Sequence, residues 1–113
     1  MLVRNCTDVD VIVPYAGLQK RVVIGPKQGA PTFVMRIFDL RPGVSTPYHS
    51  HDWEHEVFVV SGSGVVTDEK GETSLEATDA VLVAPLEMHS FKNTGQATFR
   101  FMCLVPLRGE DTP

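Results

Sequence analysis

Apolar and polar positions alternate along this chain in short runs, with no sustained stripe at the 3.6-residue period of a surface helix. Runs rich in β-branched and aromatic residues recur at 20–24, 32–40, 55–61, 64–67, 72–75, 80–83, 89–93 and 98–105, and each predicts a strand. Between them stand Pro26, Pro31, Pro42-Gly43, Ser61-Gly62-Ser63-Gly64, Glu69-Lys70-Gly71 and Asn93-Thr94-Gly95. Such residues preset a turn or tolerate a positive φ. Many short strands at regular spacing predict an all-β fold, an antiparallel sandwich or small barrel. Phe33-Val34-Met35 and Val57-Phe58-Val59-Val60 are apolar on both faces, whereas a strand covered on one side alternates more cleanly. A second layer or another subunit must therefore cover the outer face. A homodimer joined through a sheet does this and also hides an edge strand. The expected organisation is a single domain over 1–113, with a barrel core at about 20–106, an N-terminal arm 1–19 and a C-terminal tail 107–113 that frays after Arg108.

Composition narrows the class. With 113 residues the chain supports one hydrophobic core. Its 42% hydrophobic and 21% charged residues are ordinary for a soluble domain. A formal net charge of −4 with interspersed signs offers no basic patch, so neither nucleic acid nor an anionic membrane is expected as a partner. Cys6 and Cys103 lie far apart and match no metal-binding pair. Two cysteines are few for a disulfide scaffold, which points to a reducing cytoplasm. Asp8 and Asp10 interrupt the N-terminal apolar residues, and no run approaches the ~20 residues of a membrane span.

The chemistry is concentrated in four histidines, all confined to two segments: His49-Ser50-His51-Asp52-Trp53-Glu54-His55, and His89. Neutral imidazole is a preferred ligand for Zn, Cu, Fe and Ni. His49 and His51 are one residue apart, so on an extended backbone both leave the same face. His55 opens the next strand. His89 follows 34 positions later on another strand and closes the pocket. A local group plus a distant ligand is how an all-β scaffold builds a three- or four-coordinate site.

From about Lys20 to Pro106 the chain resembles the cupin superfamily. The first cupin motif, G-x5-H-x-H-x3,4-E-x6-G, is matched by Gly43, five residues, His49-Ser50-His51, and the strand running to Gly62. The second, G-x5-P-x-G-x2-H-x3-N, ends on His89-Ser90-Phe91-Lys92-Asn93, with Thr78 and Leu86 standing for its glycines and Ala84, followed by Pro85, for its proline. With six residues between it and Gly62, the ruler lands on His55, not on a carboxylate. With four residues between it and His51, it lands on Glu56. Adjacent strand residues point to opposite faces, so only one of them reaches the metal. If His55 points inward, Val57 and Val59 follow it. The ligands so read are His49, His51, His55 and His89, with Glu56 as the alternative third ligand. The run RVVIGPKQGAPTFVMR, with WEHEVFVVSG and FMCLVP, is similar to a four-histidine subgroup of small cupins. That resemblance implies a jelly-roll barrel, usually dimeric, holding one divalent ion, manganese in several members. The ligand types alone admit Mn, Fe, Co, Ni, Cu or Zn.

By the same resemblance Phe101 and Cys103 face the metal pocket, and Met35 and Val57 help shape its apolar wall. Trp53 between two ligands reads as a packing wedge or lid, and Tyr48 as a lid or an exposed residue. Four imidazoles on a six-coordinate ion leave two positions open, the mark of a catalytic site. The expectation by analogy is a metal-dependent oxidoreductase, dioxygenase-like, acting with dioxygen or peroxide on a small apolar or aromatic substrate. The rivals are a non-enzymatic metal or small-ligand binding module and a metal-dependent isomerase or lyase. No histidine remains to act as an extra base.

Overall fold

A computed structural model describes residues 1–111; Thr112 and Pro113, the end of the expected tail, lie outside the described residues. Among the described residues the strands are β1 (Ile12–Tyr15), β2 (Leu18–Ile24), β3 (Phe33–Leu40), β4 (His55–Ser61), β5 (Ser63–Asp68), β6 (Gly71–Glu76), β7 (Ala80–Val83), β8 (Ser90–Asn93) and β9 (Phe99–Pro106). Helix is limited to single 3-10 turns at Cys6–Asp8, Pro26–Gln28 and Leu107–Gly109. None is long and apolar enough to cross a membrane. The strands form a six-stranded sheet, β1-β2-β3-β9-β4-β7, and a three-stranded sheet, β6-β5-β8, every pairing antiparallel. The all-β, double-sheet expectation is met.

The sequence dictates which face of the large sheet is the core. On β9, Phe99, Phe101, Cys103 and Val105 are buried while the residues between them are half-exposed. Partners across an antiparallel ladder share a face. Arg36 pairs Cys103, which pairs Val57; Phe38 pairs Phe101, which pairs Val59. Each of these rows is buried. The Phe101 ring stacks on Phe38 at 5.5 Å between centroids and meets Phe91 of the small sheet at 5.0 Å. Burial of side chains of this size contributes roughly 2–3 kcal/mol each. The outer face of the large sheet leaves Phe33, Phe58, Val60 and Leu82 exposed. Asp39 is the buried exception there, held by Arg21 at 2.8 Å and by Arg100 at 2.7 Å.

Two departures from the sequence reading have physical causes. β1 falls in the expected arm, where Pro14 and nearby aspartates obscure the pattern; it is an edge strand, the place where a sheet tolerates proline. Nor does the tail fray at its start. Gly109 is buried, and its carbonyl and that of Glu110 accept from Arg36, while Glu110 also accepts from Lys20.

The segment that follows β3 runs beside β8 without regular strand geometry. Thr46 N donates to Phe91 O at 2.8 Å, and His49 and His89 exchange backbone bonds at 3.1 and 2.9 Å. That pairing fixes the register of the two histidine motifs. Asn93, four residues past His89, is wholly buried; its amide donates to the Leu40 and Ala97 carbonyls and accepts from Gly95 N. The last position of the second motif is therefore a clamp between β8, the end of β3 and the turn into β9.

Thr78 and Leu86 replace motif glycines, yet both take the left-handed backbone, at φ 77° and 68°. The turn geometry is kept at a steric cost that glycine would not bear. At Leu86 this places its amide on the His51 carbonyl at 2.7 Å, tying the loop before His89 to the first motif. Thr78→Gly is expected to stabilise the protein by about 1 kcal/mol, read as a higher urea midpoint at unchanged slope. An unaltered or lower midpoint would show that the turn stores no strain.

Candidate metal centre

The four histidines converge between the two sheets. Ring centroids lie 4.9 Å apart for His49–His89 and His55–His89, 5.0 Å for His51–His89, 4.4 Å for His51–His55 and 5.3 Å for His49–His51. A donor atom from each of His49, His51 and His89 lies within 4.8 Å of the others. His55 stands against this trio, its Nε2 directly facing that of His51. His55 and His89 are buried, and His49 and His51 half-buried, so the cluster has an inner and an outer side.

Hydrogen bonds decide which ring nitrogen carries the proton. His51 Nδ1 lies 2.8 Å from the Trp53 carbonyl and His89 Nδ1 2.8 Å from the Glu87 carbonyl. A carbonyl only accepts, so both Nδ1 atoms donate, and both Nε2 atoms keep a lone pair for the cluster. Among the described residues, His89 Nε2 is buried without a hydrogen-bond partner. An orphaned buried acceptor is costly, and a cation among converging lone pairs removes that cost. The residues present fit a divalent metal ion.

Electrostatics agree. Burial pushes His49 and His51 below the ordinary imidazole value, helped in both by neighbouring histidines and Arg36; the Trp53 carbonyl partly opposes the shift at His51. His55 is pushed down to about 2, chiefly by burial and then by having His51, Arg36, His89 and His49 close by. Neutral imidazole is the form that ligates.

Glu56, the alternative ligand, is exposed on the opposite face of β4, while His55, Val57 and Val59 point inward. Phe101 and Cys103 line the small space behind the histidines together with Phe38, Thr46 and Phe91. Val57 is buried in the core beside Cys103, outside that lining. Met35 is a correction. It pairs Leu104 on the outer face of β3, because Val34, Arg36 and Phe38 take the inward positions. The inner space is only about 10 Å³, close to the least that admits one water. Anything larger than water can therefore reach the cluster only from the outer side, past His49 and His51.

Trp53 stacks flat on His51, 4.6 Å between centroids and 6° between planes, and Arg108 lies over the indole at 5.5 Å. It holds His51 by ring and carbonyl together. Tyr48 is exposed. Sequence reasoning missed Arg36, which is fully buried and donates to Cys103 Sγ at 3.1 Å. Thr46, whose hydroxyl accepts from Phe91 N at 2.8 Å, was equally silent. A single cation in the apolar run of β3 reads as an outward residue until the pairing with β9 is known.

Residues 36–105 match the cupin domain family. The polyketide cyclase RemF of Streptomyces resistomycificus is 31% identical and superposes with a TM-score of 0.88 over 95% of this chain and 80% of its own. A cupin 2 domain-containing protein of Halorhodospira halophila is 32% identical, with a TM-score of 0.77 over 81% of this chain and 66% of its own. The oxalate-binding protein of Thermotoga maritima is 32% identical over 69 residues, so the match spans 57% of that protein and 60% of this chain. With its two-sheet architecture, its histidine motifs and a family match across most of its length, the chain belongs to the cupin family.

Proposed function

We propose that this protein is a metal-dependent enzyme acting on a carbonyl of a small, apolar or aromatic substrate, with His49, His51, His55 and His89 as ligands. The observation that carries the reading is a donor set free of carboxylate, since Glu56 faces away. Four neutral imidazoles leave the ion its full positive charge, which favours the divalent state and Lewis acidity over a redox cycle. When bound, the ion would supply polarisation of a substrate carbonyl. The chain's own residues do the rest. Trp53, Glu87 and Cys103 hold the rings, Phe38, Phe91 and Phe101 keep water from the inner side, and the half-exposed His49 and His51 leave the outer side to substrate. The likeness to a polyketide cyclase supports a cyclisation. The acidic C–H between two carbonyls gives its proton to solvent, and that carbon bonds to a ketone carbon of the same chain whose oxygen takes up a proton. The resulting hydroxyl leaves as water with a second proton from the new ring. The ion is manganese by family resemblance, and zinc suits the same chemistry. The working unit is a homodimer closed over Phe33, Phe58, Val60 and Leu82.

The competing reading is oxidation with dioxygen or peroxide, favoured by the phenylalanine lining, which suits an apolar gas better than water. One experiment separates them. Zinc- and manganese-loaded protein is incubated in air with a linear poly-β-ketone thioester, and products are weighed by mass spectrometry beside an oxygen electrode. The expected product is lighter than substrate by one water, with no oxygen uptake. Products heavier by oxygen would establish the oxidoreductase. Bound metal without turnover of any ketone offered would leave a binding module.

A further inference from the structure

We infer that Cys103 and Arg36 are positioning residues that set the His55 ring for the metal, an inference that rests on the metal reading above. His51 and His89 lie outside regular ladder and use backbone carbonyls to fix their Nδ1 protons. His55 has no such recourse. It opens β4, which is paired on both sides, with β7 and β9, so its backbone neighbours are consumed by the ladder. The partner must be a side chain, and Cys103 on β9 supplies it: His55 Nδ1 lies 3.0 Å from Cys103 Sγ.

Arg36 shares that sulfur. Its Nη2 donates to the same sulfur at 3.1 Å, and a guanidinium only donates. A metal held through Nε2 would leave the His55 ring proton on Nδ1, and the sulfur would then accept from it as it does from Arg36. Arg36 is anchored at its other end, where Nη1 reaches the Gly109 and Glu110 carbonyls at 3.3 and 3.5 Å. Lys20 Nζ holds Glu110 O at 2.7 Å. The chain of contacts runs from the C-terminal turn through Arg36 and Cys103 to His55. It accounts for a buried arginine that an apolar core would otherwise exclude.

The test compares wild type with Cys103→Val, which keeps about the same volume without an acceptor, and with Cys103→Ser, which restores one. Histidine tautomers are read by side-chain nitrogen NMR of the metal-free proteins, and zinc affinity by competition titration. In wild type and Cys103→Ser, His55 is expected in a single tautomer. In Cys103→Val it becomes a mixture, and zinc affinity falls roughly ten- to a hundredfold. An unchanged tautomer and affinity in Cys103→Val overturns the inference. If none of the proteins, wild type included, binds zinc or another divalent ion, the metal reading fails, while the tautomers still decide whether Cys103 orients His55. Should Cys103→Val fail to fold, Cys103→Ala removes the same acceptor and carries the same readings.

Discussion

His89→Ala is expected to abolish metal retention, lowering zinc affinity by about a hundredfold or more. His89 is singled out because it comes from a different part of the chain than the other three histidines, which share residues 49–55. Among the described residues its Nε2 is buried without a partner, and its ring lies about 5 Å from each of the other three rings. Without it, the remaining donors sit on one segment and cannot enclose an ion. The fold should survive, since the backbone pairing of residues 49 and 89 does not use the imidazole. Elemental analysis of the purified variant, followed by zinc titration, reads the effect directly. Glu56→Gln is the control and should bind like wild type, because that carboxylate is exposed on the far face of β4. Equal metal content in His89→Ala and wild type would remove His89 from the site.

How far the sequence reaches is visible in single elements. The limits of β4 and β7 are those expected, because turn residues bracket both strands. The choice between His55 and Glu56 as the inward residue also follows from sequence. Spacing within a regular strand is a fixed ruler, whereas the loop after His51 is not. Met35 and Arg36 mark the boundary of that method. Period-two alternation says that neighbours face opposite ways, but not which of them faces the core when the whole run is apolar. Only the pairing of β3 with β9 decides it, and pairing is a long-range property. Thr78 and Leu86 show the converse. A backbone conformation survives where the residue type that signals it has gone, so the motif looks weaker in letters than it is in φ.

The metal-free protein is expected to lose stability as pH falls below about 6.5. Above that value a histidine is neutral in both folded and unfolded chains and contributes no pH dependence. Below it the unfolded chain takes up protons that buried His55 refuses, since its value in the fold is near 2. The unfolded state then binds more protons, and each pH unit costs roughly 1.4 kcal/mol for this one residue. His49 and His51, also lowered, add to the slope until their own values are reached. Bound metal offsets the loss, because an ion at a thousand times its dissociation constant stabilises the fold by about 4 kcal/mol. Urea unfolding in chelator at pH 7.5, 6.5, 5.5 and 4.5 gives the slope, and His55→Leu should flatten it. A wild-type stability that is level across this range would mean that the histidines accept protons as freely in the fold as in water. The cluster would then lack the enforced neutrality on which a carboxylate-free metal site depends.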